Sequence, residues 1–440
     1  MSGLSIGGGA AKISVYRDSG WRTIMGETAS TRREPVPPSG PVRNIGAWCN
    51  AINVGKGVST RDGALAETVH LISVDAINPV LEWVVTSGFG GVSRGGQFKA
   101  AVSVNGGVRY NVMFNGQNSV QMVDSTSTAV KYTSDPIPLK LLAGDALHVA
   151  SWIKPSGDGG SHGSFTGPRA NIDPGISQGP YNVAVAGERL PGQATGGWAL
   201  RPTRILAPSD KPSFIGVGDS IMQGFAQPAF VDLALDAKKY AFTKYAQGGA
   251  FHSGNGNPRI NEYIPYMTHV IDQFGINIMG MGAMLGDWKA WKAAGASVVK
   301  TTIFPPFGTS DNWATLAGQS ATGTLDADRV ARNVWLRDGA PVKADLSGVL
   351  PAGTTDPTAI RCTVTSWDGT TVTTRSQGHP LLAVVDTAGA LEESPSDGRY
   401  NATARGILAS TNHGDGIHVS EGIHAYAGVR LKNELTLLGL

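Results

Sequence analysis

Two residues far apart in the chain, Ser220 and His418, are of the types that together perform nucleophilic catalysis. Ser220 ends the tripeptide Gly218-Asp219-Ser220, which follows the apolar run SFIGV and precedes IMQG. A serine on a turn between a strand and a helix holds its hydroxyl out at the carboxyl edge of a sheet. The backbone N–H groups that open the helix then point at any developing anion. A serine hydroxyl is a weak nucleophile without a general base. His418 ends the segment Asp415-Gly416-Ile417-His418. A carboxylate three residues before an imidazole can reach its Nδ1, fix its tautomer and leave Nε2 to take the serine proton. In Gly248-Gly249, a glycine lets the backbone approach a ligand and donate an N–H. In Gly275-Ile276-Asn277, the asparagine amide can complete an oxyanion hole. Singly, each segment has an ordinary reading as well: Ser220 and Asn277 as helix caps, the His418 segment as a surface turn, and the glycines as a simple turn in a chain with 59 Gly.

The elements that must position these residues follow from the apolar pattern. After Pro208 the chain alternates strands and helices. PSFIGVGDS reads as a strand ending in a turn, and MQGFAQPAFVDLALDAKKY as a helix whose start Pro228 delays. KYAQGGA is a strand and glycine loop, and NPRINEYIPYMTH contains a helix. THVIDQFGIN is a strand, DWKAWKAAG a helix and ASVVKTTIFPP a strand. Such alternation implies a parallel sheet with helices on both faces, and ligands bind at the carboxyl ends of its strands. All four chemical segments fall at such ends. Residues from about 313 to 405 break the rhythm and read as an insertion. It holds a helix in DADRVARNVWLRD, a hairpin around Asp368-Gly369, and LLAVVDT as the last sheet strand. EGIHAYAGVRLKNELTLLGL closes the chain as an amphipathic helix.

Residues 45–208 have a different texture, with alternating apolar residues and Gly-Gly or Asn-Gly punctuation. They read as a β-sandwich of jelly-roll type, with a carbohydrate-binding or assembly role. Residues 1–44 read as an arm with a Pro-rich linker, RREPVPPSGPVRN.

The joint order of strand-GDS, strand-Gly, strand-GxN and a late DxxH resembles the SGNH subgroup of GDSL-like hydrolases, over residues 212–440 less the insertion. DGIHVSEGIHAYAGVRL is especially similar to the last block of that family. The resemblance implies a three-layer αβα flavodoxin-like hydrolase domain over residues 209–440. It implies Ser220 as nucleophile, His418 as base and Asp415 as the residue that orients His418. It also implies an oxyanion hole from the N–H groups of Ser220 and Gly249 and the side chain of Asn277, with Gly248 as the alternative to Gly249. The third block of the family is usually Gly-x-Asn-Asp, whereas Ile278 follows Asn277 here. The chain lacks that aspartate but keeps the amide. The implied activity is hydrolysis of short acyl esters, acetyl first, on a polysaccharide, with no metal or organic cofactor. Protonating His418 should stop the reaction, so the rate should rise with pH.

Composition bounds the alternatives. Apolar residues make up 41% and charged residues 16% of 440, enough for a packed core and against disorder. Net charge is +2, with no basic block, so no nucleic-acid partner is expected. No apolar run reaches the length of a membrane span. Cys49 and Cys362 are too few for a disulfide framework, although a single bridge between them stays open. No secretory signal is visible, which leaves a virion-associated, a cytoplasmic or a processed secreted protein. Two other readings stand beside the esterase: a phage tail or capsid-fibre component whose N-terminal region contacts assembly partners or another copy, and an inactive glycan-binding module. Around the site, His252 is expected to be solvated and His424 to pack. Asp219 is expected to brace loops, Asp287 to cap a helix, and Trp288 and Trp291 to be core.

Overall fold

Strands buried on both faces read as continuous apolar runs, and SFIGVG is close to one; AFTKYA is buried as well although it holds Thr243 and Lys244, whose ammonium pairs with Asp232. In the computed structural model of the chain, Ser213–Gly218 (β1) and Ala241–Ala246 (β2) are buried at every position. They pair in parallel. His269–Asp272 (β3), Ser297–Thr301 (β4) and Leu381–Val385 (β5) extend the sheet in parallel, giving the spatial order β5-β4-β3-β1-β2. Thr363–Thr365 adds a parallel strand beyond β5 and pairs antiparallel with Val372–Thr373, the hairpin around Asp368-Gly369. At the other edge, Cys49–Asn50 pairs in parallel with β2, so a two-residue segment from the first part of the chain closes the sheet. The structure describes residues 12–17, 20–25, 33–50, 64–85, 96–123, 130–155, 175–178, 201–224, 228–277, 280–375, 378–395, 397–411 and 416–440.

Besides single turns at Pro258–Asn261, Ile264–Tyr266 and Thr387–Ala390, the helices among the described residues are Ser220–Gln223 (α1), Phe230–Ala237 (α2), Met281–Ala293 (α3), Leu325–Arg337 (α4), Ala402–Thr411 (α5) and Glu421–Leu437 (α6). Successive strand residues point to opposite faces, and two apolar clusters result. Phe214, Phe242, Ile271 and Val299 pack with Phe230 and Leu235 of α2 and Ile423 and Leu431 of α6. Ile215, Val217, Val270 and Val298 pack with Leu285 and Trp288 of α3 and Trp335 and Leu336 of α4. The sheet therefore carries helices on both faces, as the strand–helix alternation predicts. Trp288 and Trp291 are core residues, and Trp288 stacks on Trp335 at 5.8 Å between ring centroids.

The residues before β1 hold two antiparallel sheets. One runs Val120–Met122, Gly96–Val104, Ala146–Pro155, Ala64–Leu71, Gly175–Gln178, with Arg109–Asn111 beside Gly96–Val104. The other runs Val130–Thr133, Val80–Val85, Arg204–Pro208, Val42–Asn44. Trp83 and Ile205 of the second share an apolar cluster with Phe98 and Val149 of the first. Residues Pro37–Leu440 form one compact unit and Met1–Val36 another. In the latter, Lys12–Arg17 pairs antiparallel with Gly20–Met25. Both cysteines are buried and neither forms a disulfide. No helix among the described residues is long and apolar enough to cross a membrane.

A buried carboxyl on α6 makes the stability of this fold depend on pH. Glu434 is fully buried and accepts from Arg430 Nε at 2.8 Å and Thr365 Oγ1 at 3.0 Å. Burial pushes its carboxyl up to about 7 against the pull of Arg430. Between the ordinary glutamate range and that value, the folded chain holds a proton that the unfolded chain has lost. Stability therefore falls as pH rises through this window. Glu434→Gln should remove the dependence. In urea unfolding, the variant should gain on the wild type by on the order of 2 kcal/mol between pH 5 and pH 8. An unchanged difference between the two proteins at both pH values would contradict this.

Candidate active site

Ser220 reaches the carboxyl edge of β1 because the chain turns there with no room to spare. A methyl group at Gly218 would lie 2.4 Å from Gln273 Oε1 and from Met222 Cβ, and one at Gly216 would lie 2.2 Å from Met222 Cε. Only glycines let the first turn of α1 fold back onto its own strand. Asp219 caps that turn, accepting from the Ile221 N–H at 3.0 Å, while its own N–H donates to Gln273 Oε1 at 3.2 Å. This is the bracing expected of it. Its carboxyl is fully buried, and burial pushes it up to about 6 against the Ile221 N–H, Gln273 and Lys300. Gly224 ends α1 in the left-handed region, at φ 74°.

His418 arrives from the other end of the chain. It lies on the loop before α6, whose N-cap Ser420 accepts from Ile423 N–H. Gly416, at φ 70°, is in contact with the residues before α4: Thr322 Oγ1 donates to Gly416 O at 3.0 Å, and a methyl group at 416 would lie 2.5 Å from that hydroxyl. The 313–405 region thus buttresses the loop that carries the imidazole. His418 Nε2 lies 2.8 Å from Ser220 Oγ, across 198 residues of sequence. Ser220 is 8% exposed. Asp415 lies outside the described residues.

Gly249 and Asn277 come from the loops that follow β2 and β3. The Gln247–Ala250 turn is tied to β1 through Gln247 N–H to Gly218 O, 3.1 Å, and closes on itself through Ala250 N–H to Gln247 O, 3.0 Å. Gly248 donates its N–H to Gln223 Oε1 at 2.9 Å. The N–H groups of Ser220 and Gly249 meet no acceptor among the described residues. Gly249 is exposed, at φ 73°. Gly275, at φ 155°, leaves space that a methyl group would take from Ile303, 2.6 Å away, and it sets the approach of Asn277. Asn277 Nδ2 donates one hydrogen to Ala250 O at 2.9 Å. An amide has a second hydrogen to offer.

Two expectations are corrected. His252 is 2% exposed and not solvated: its Nδ1 is 2.9 Å from Asp287 Oδ2, among Phe274, Trp288 and Trp291. Asp287 is not a helix cap. It sits in the middle of α3, and its carboxylate serves a loop about 30 residues earlier, accepting from Ser253 N–H, Ser253 Oγ and Gly256 N–H. Solvation and capping are local guesses, and the tertiary fold overrode both. His424 packs as expected, its ring parallel to Phe230 and its Nδ1 accepting from the Phe230 N–H. Gln223 was missed; its place at the fourth position of α1 was the available signal. A hollow of about 410 Å³ lies at the opposite edge of the sheet, where Ser297 and Leu381 begin their strands. Among the described residues, no group of three His, Cys, Asp or Glu is placed to hold a metal ion.

No family model matches the chain, and no curated protein matches it. Several solved structures are similar at low identity. A carbohydrate esterase family 2 enzyme with a carbohydrate-binding domain, from Corynascus thermopiles (Myceliophthora fergusii), is 15% identical. That match covers 91% of this chain and 100% of the other, with a TM-score of 0.30. A salicylyl-acyltransferase from a tetracycline biosynthetic pathway is 11% identical over 86% of this chain and 82% of its own, with a TM-score of 0.31. A peptidoglycan O-acetylesterase is 10% identical over 92% and 81%, with a TM-score of 0.30. By name all three are esterases or acyltransferases.

Proposed function

We propose that the chain is a serine esterase of SGNH type that removes short acyl groups, acetyl above all, from a polysaccharide. The observation that carries this reading is the 2.8 Å contact between Ser220 Oγ and His418 Nε2 at the carboxyl edge of a parallel sheet. In the reaction, Ser220 gives its hydroxyl proton to Nε2 as Oγ bonds to the ester carbonyl carbon. The carbonyl oxygen becomes an oxyanion and accepts from the N–H groups of Ser220 and Gly249 and the free hydrogen of the Asn277 amide. Each such donor is worth about 10²–10³ in rate. His418 then protonates the departing alcohol oxygen, the C–O bond breaks, and an acyl-serine remains. Water loses a proton to His418 and attacks the acyl carbon, and Ser220 leaves with the proton restored. The family resemblance assigns Asp415 the role of orienting the imidazole.

The small acyl group is supported by what surrounds Ser220. Of the large apolar side chains that the described residues leave exposed, Phe251 is the one on a loop of this site, at 52%. Among the described residues, that is little apolar surface to hold a long chain. The sugar is supported by the paired sheets of residues 45–208, which we read as a β-sandwich domain that binds glycan or assembly partners.

The test is acetate release from 4-nitrophenyl acetate and from acetylated xylan and peptidoglycan, together with labelling by a fluorophosphonate. The expected result is turnover of acetyl in preference to octanoyl esters and a single label on the peptide that contains Ser220. No turnover of any acetyl ester and no label at Ser220 would overturn the reading.

A further inference from the structure

Beneath the two loops just described lies a buried ionic cluster that the acyl-transfer steps do not use. His252 occupies its centre. On one side Asp287 Oδ2 is 2.9 Å from Nδ1. On the other, Asp272 Oδ2 is 3.2 Å from Nε2, off the line of a straight hydrogen bond but in ion-pair range. The two carboxylates belong to different parts of the sheet edge. Asp287 gathers the 252–256 stretch through Ser253 N–H at 2.9 Å, Ser253 Oγ at 3.0 Å and Gly256 N–H at 2.6 Å. α3 lies flat against that stretch, because a methyl group at Gly286 would fall 1.9 Å from Gly254 O. Asp272 ends β3 and accepts from Phe274 N–H at 3.0 Å and Trp288 Nε1 at 2.7 Å. Lys300 of β4 donates to Asp272 O and Phe274 O, with its Nζ 3.7 Å from Asp272 Oδ1.

We propose that His252 is a positioning residue for acyl transfer, the buried link that holds the Gly249 loop and the Asn277 loop in register so that their donors meet one oxyanion. The inference rests on the esterase reading above. The topology requires some such link. Gly249 follows β2 and Asn277 follows β3, and at the surface one bond joins their loops, Asn277 Nδ2 to Ala250 O at 2.9 Å. His252 is three residues beyond Gly249, and Asp272 is five residues before Asn277. Their contact is the second tie, below the first, and two ties fix an orientation where one leaves a hinge.

The charge balance says which form of the ring makes the link. The groups facing His252 are Asp272 from β3, Asp287 from α3 and Lys300 from β4, within a wall of Phe274, Trp288 and Trp291. A neutral imidazole would leave two buried carboxylates with one cation, which is costly in such surroundings. Burial lowers the proton affinity of His252, but Asp272 and then Asp287 more than compensate, and the ring is held above the ordinary histidine range. Asp272 is in turn held below the carboxylate range despite its burial, by His252 and Lys300.

The experiment compares wild type, His252→Gln and Asp287→Asn on 4-nitrophenyl acetate, with ¹⁵N-histidine spectra of the wild type and of the Ser220→Ala protein. Each variant should lower kcat about 10- to 100-fold with KM within about threefold, because the donors are mis-set for the oxyanion more than for the ester. Asp287→Asn keeps the shape of its carboxylate and carries the test if His252→Gln does not fold. In both spectra, His252 should hold its second proton to a higher pH than an exposed histidine does, because Asp272 and Asp287 flank it. A folded variant with wild-type kcat, or with a loss confined to KM, overturns the proposal, and so does a His252 that gives up that proton below the ordinary histidine range. If wild type hydrolyses no ester, the esterase reading fails by itself, while the spectra of the inactive Ser220→Ala protein still report on the link.

Discussion

Replacing Ser220 by alanine should lower kcat/KM for a short acetyl ester by about a thousandfold or more, with the thermal unfolding temperature within a few degrees of wild type. The size of the effect follows from what Oγ does. In the proposed reaction it is the atom that bonds to the acyl carbon, and with it removed His418 Nε2 would have only water to activate. The backbone around it does not depend on the hydroxyl: the turn is capped by Asp219 and closed by Gly224, and the clearances at Gly216 and Gly218 involve Met222 and Gln273. What activity survives should come from oxyanion donors acting on a water molecule. The measurement is initial rate against substrate concentration for both proteins, purified separately so that trace wild type does not set the floor. A folded alanine variant that keeps more than a tenth of the wild-type rate would show that another group makes the bond.

Asn277→Ala should cost about 10²–10³ in kcat, with a much smaller change in KM. The amide is asked to donate to an oxygen that carries full negative charge only in the tetrahedral intermediate, so its loss is felt in kcat. The same substitution deletes the bond to Ala250 O, and some of the loss will come from a freer Gly249 loop. Asn277→Asp keeps the shape but loses both amide hydrogens, including the one given to Ala250 O, and sets a carboxylate where the donors stood; it should be at least as inactive as the alanine variant because like charges repel in a partly buried site. Steady-state kinetics of both variants checks this. Wild-type kcat in Asn277→Ala would remove Asn277 from the oxyanion hole. An aspartate variant faster than the alanine variant would mean that the residue acts through shape alone.

Much of this arrangement is local and therefore legible in the residues themselves. The apolar runs of β1 and β2, the glycines at 216, 218 and 275 and the helix-forming segments each act over a few residues. Apolar periodicity and backbone freedom are properties of short windows. Hence the parallel sheet, the helices on its two faces and the turn that presents Ser220 can be read without a structure. The closing helix with its Ser420 cap is legible for the same reason.

Contacts between distant windows are a different matter, because they depend on which surfaces meet once the sheet is assembled. Nothing near residue 49 announces that Cys49–Asn50 closes the sheet beside β2, since a two-residue strand has no period. Gly248 and Gly249 are equivalent as letters, and it is Gln223, on another element, that takes the N–H of one and leaves that of the other. His252 in a glycine-rich loop has every local sign of a solvated residue. It is buried because α3 lies against that loop at Gly286, bringing Asp287 beneath it. Likewise, the 2.8 Å approach of Ser220 and His418 is assembled by α6 packing on α2 and by Thr322 holding the loop at Gly416. Which residue types stand at which strand ends is written in short-range pattern and so lies in the residues themselves. Which of them meet, which are buried and which N–H groups are left to donate is settled by packing, because packing joins residues as distant as Ser220 and His418, 198 positions apart.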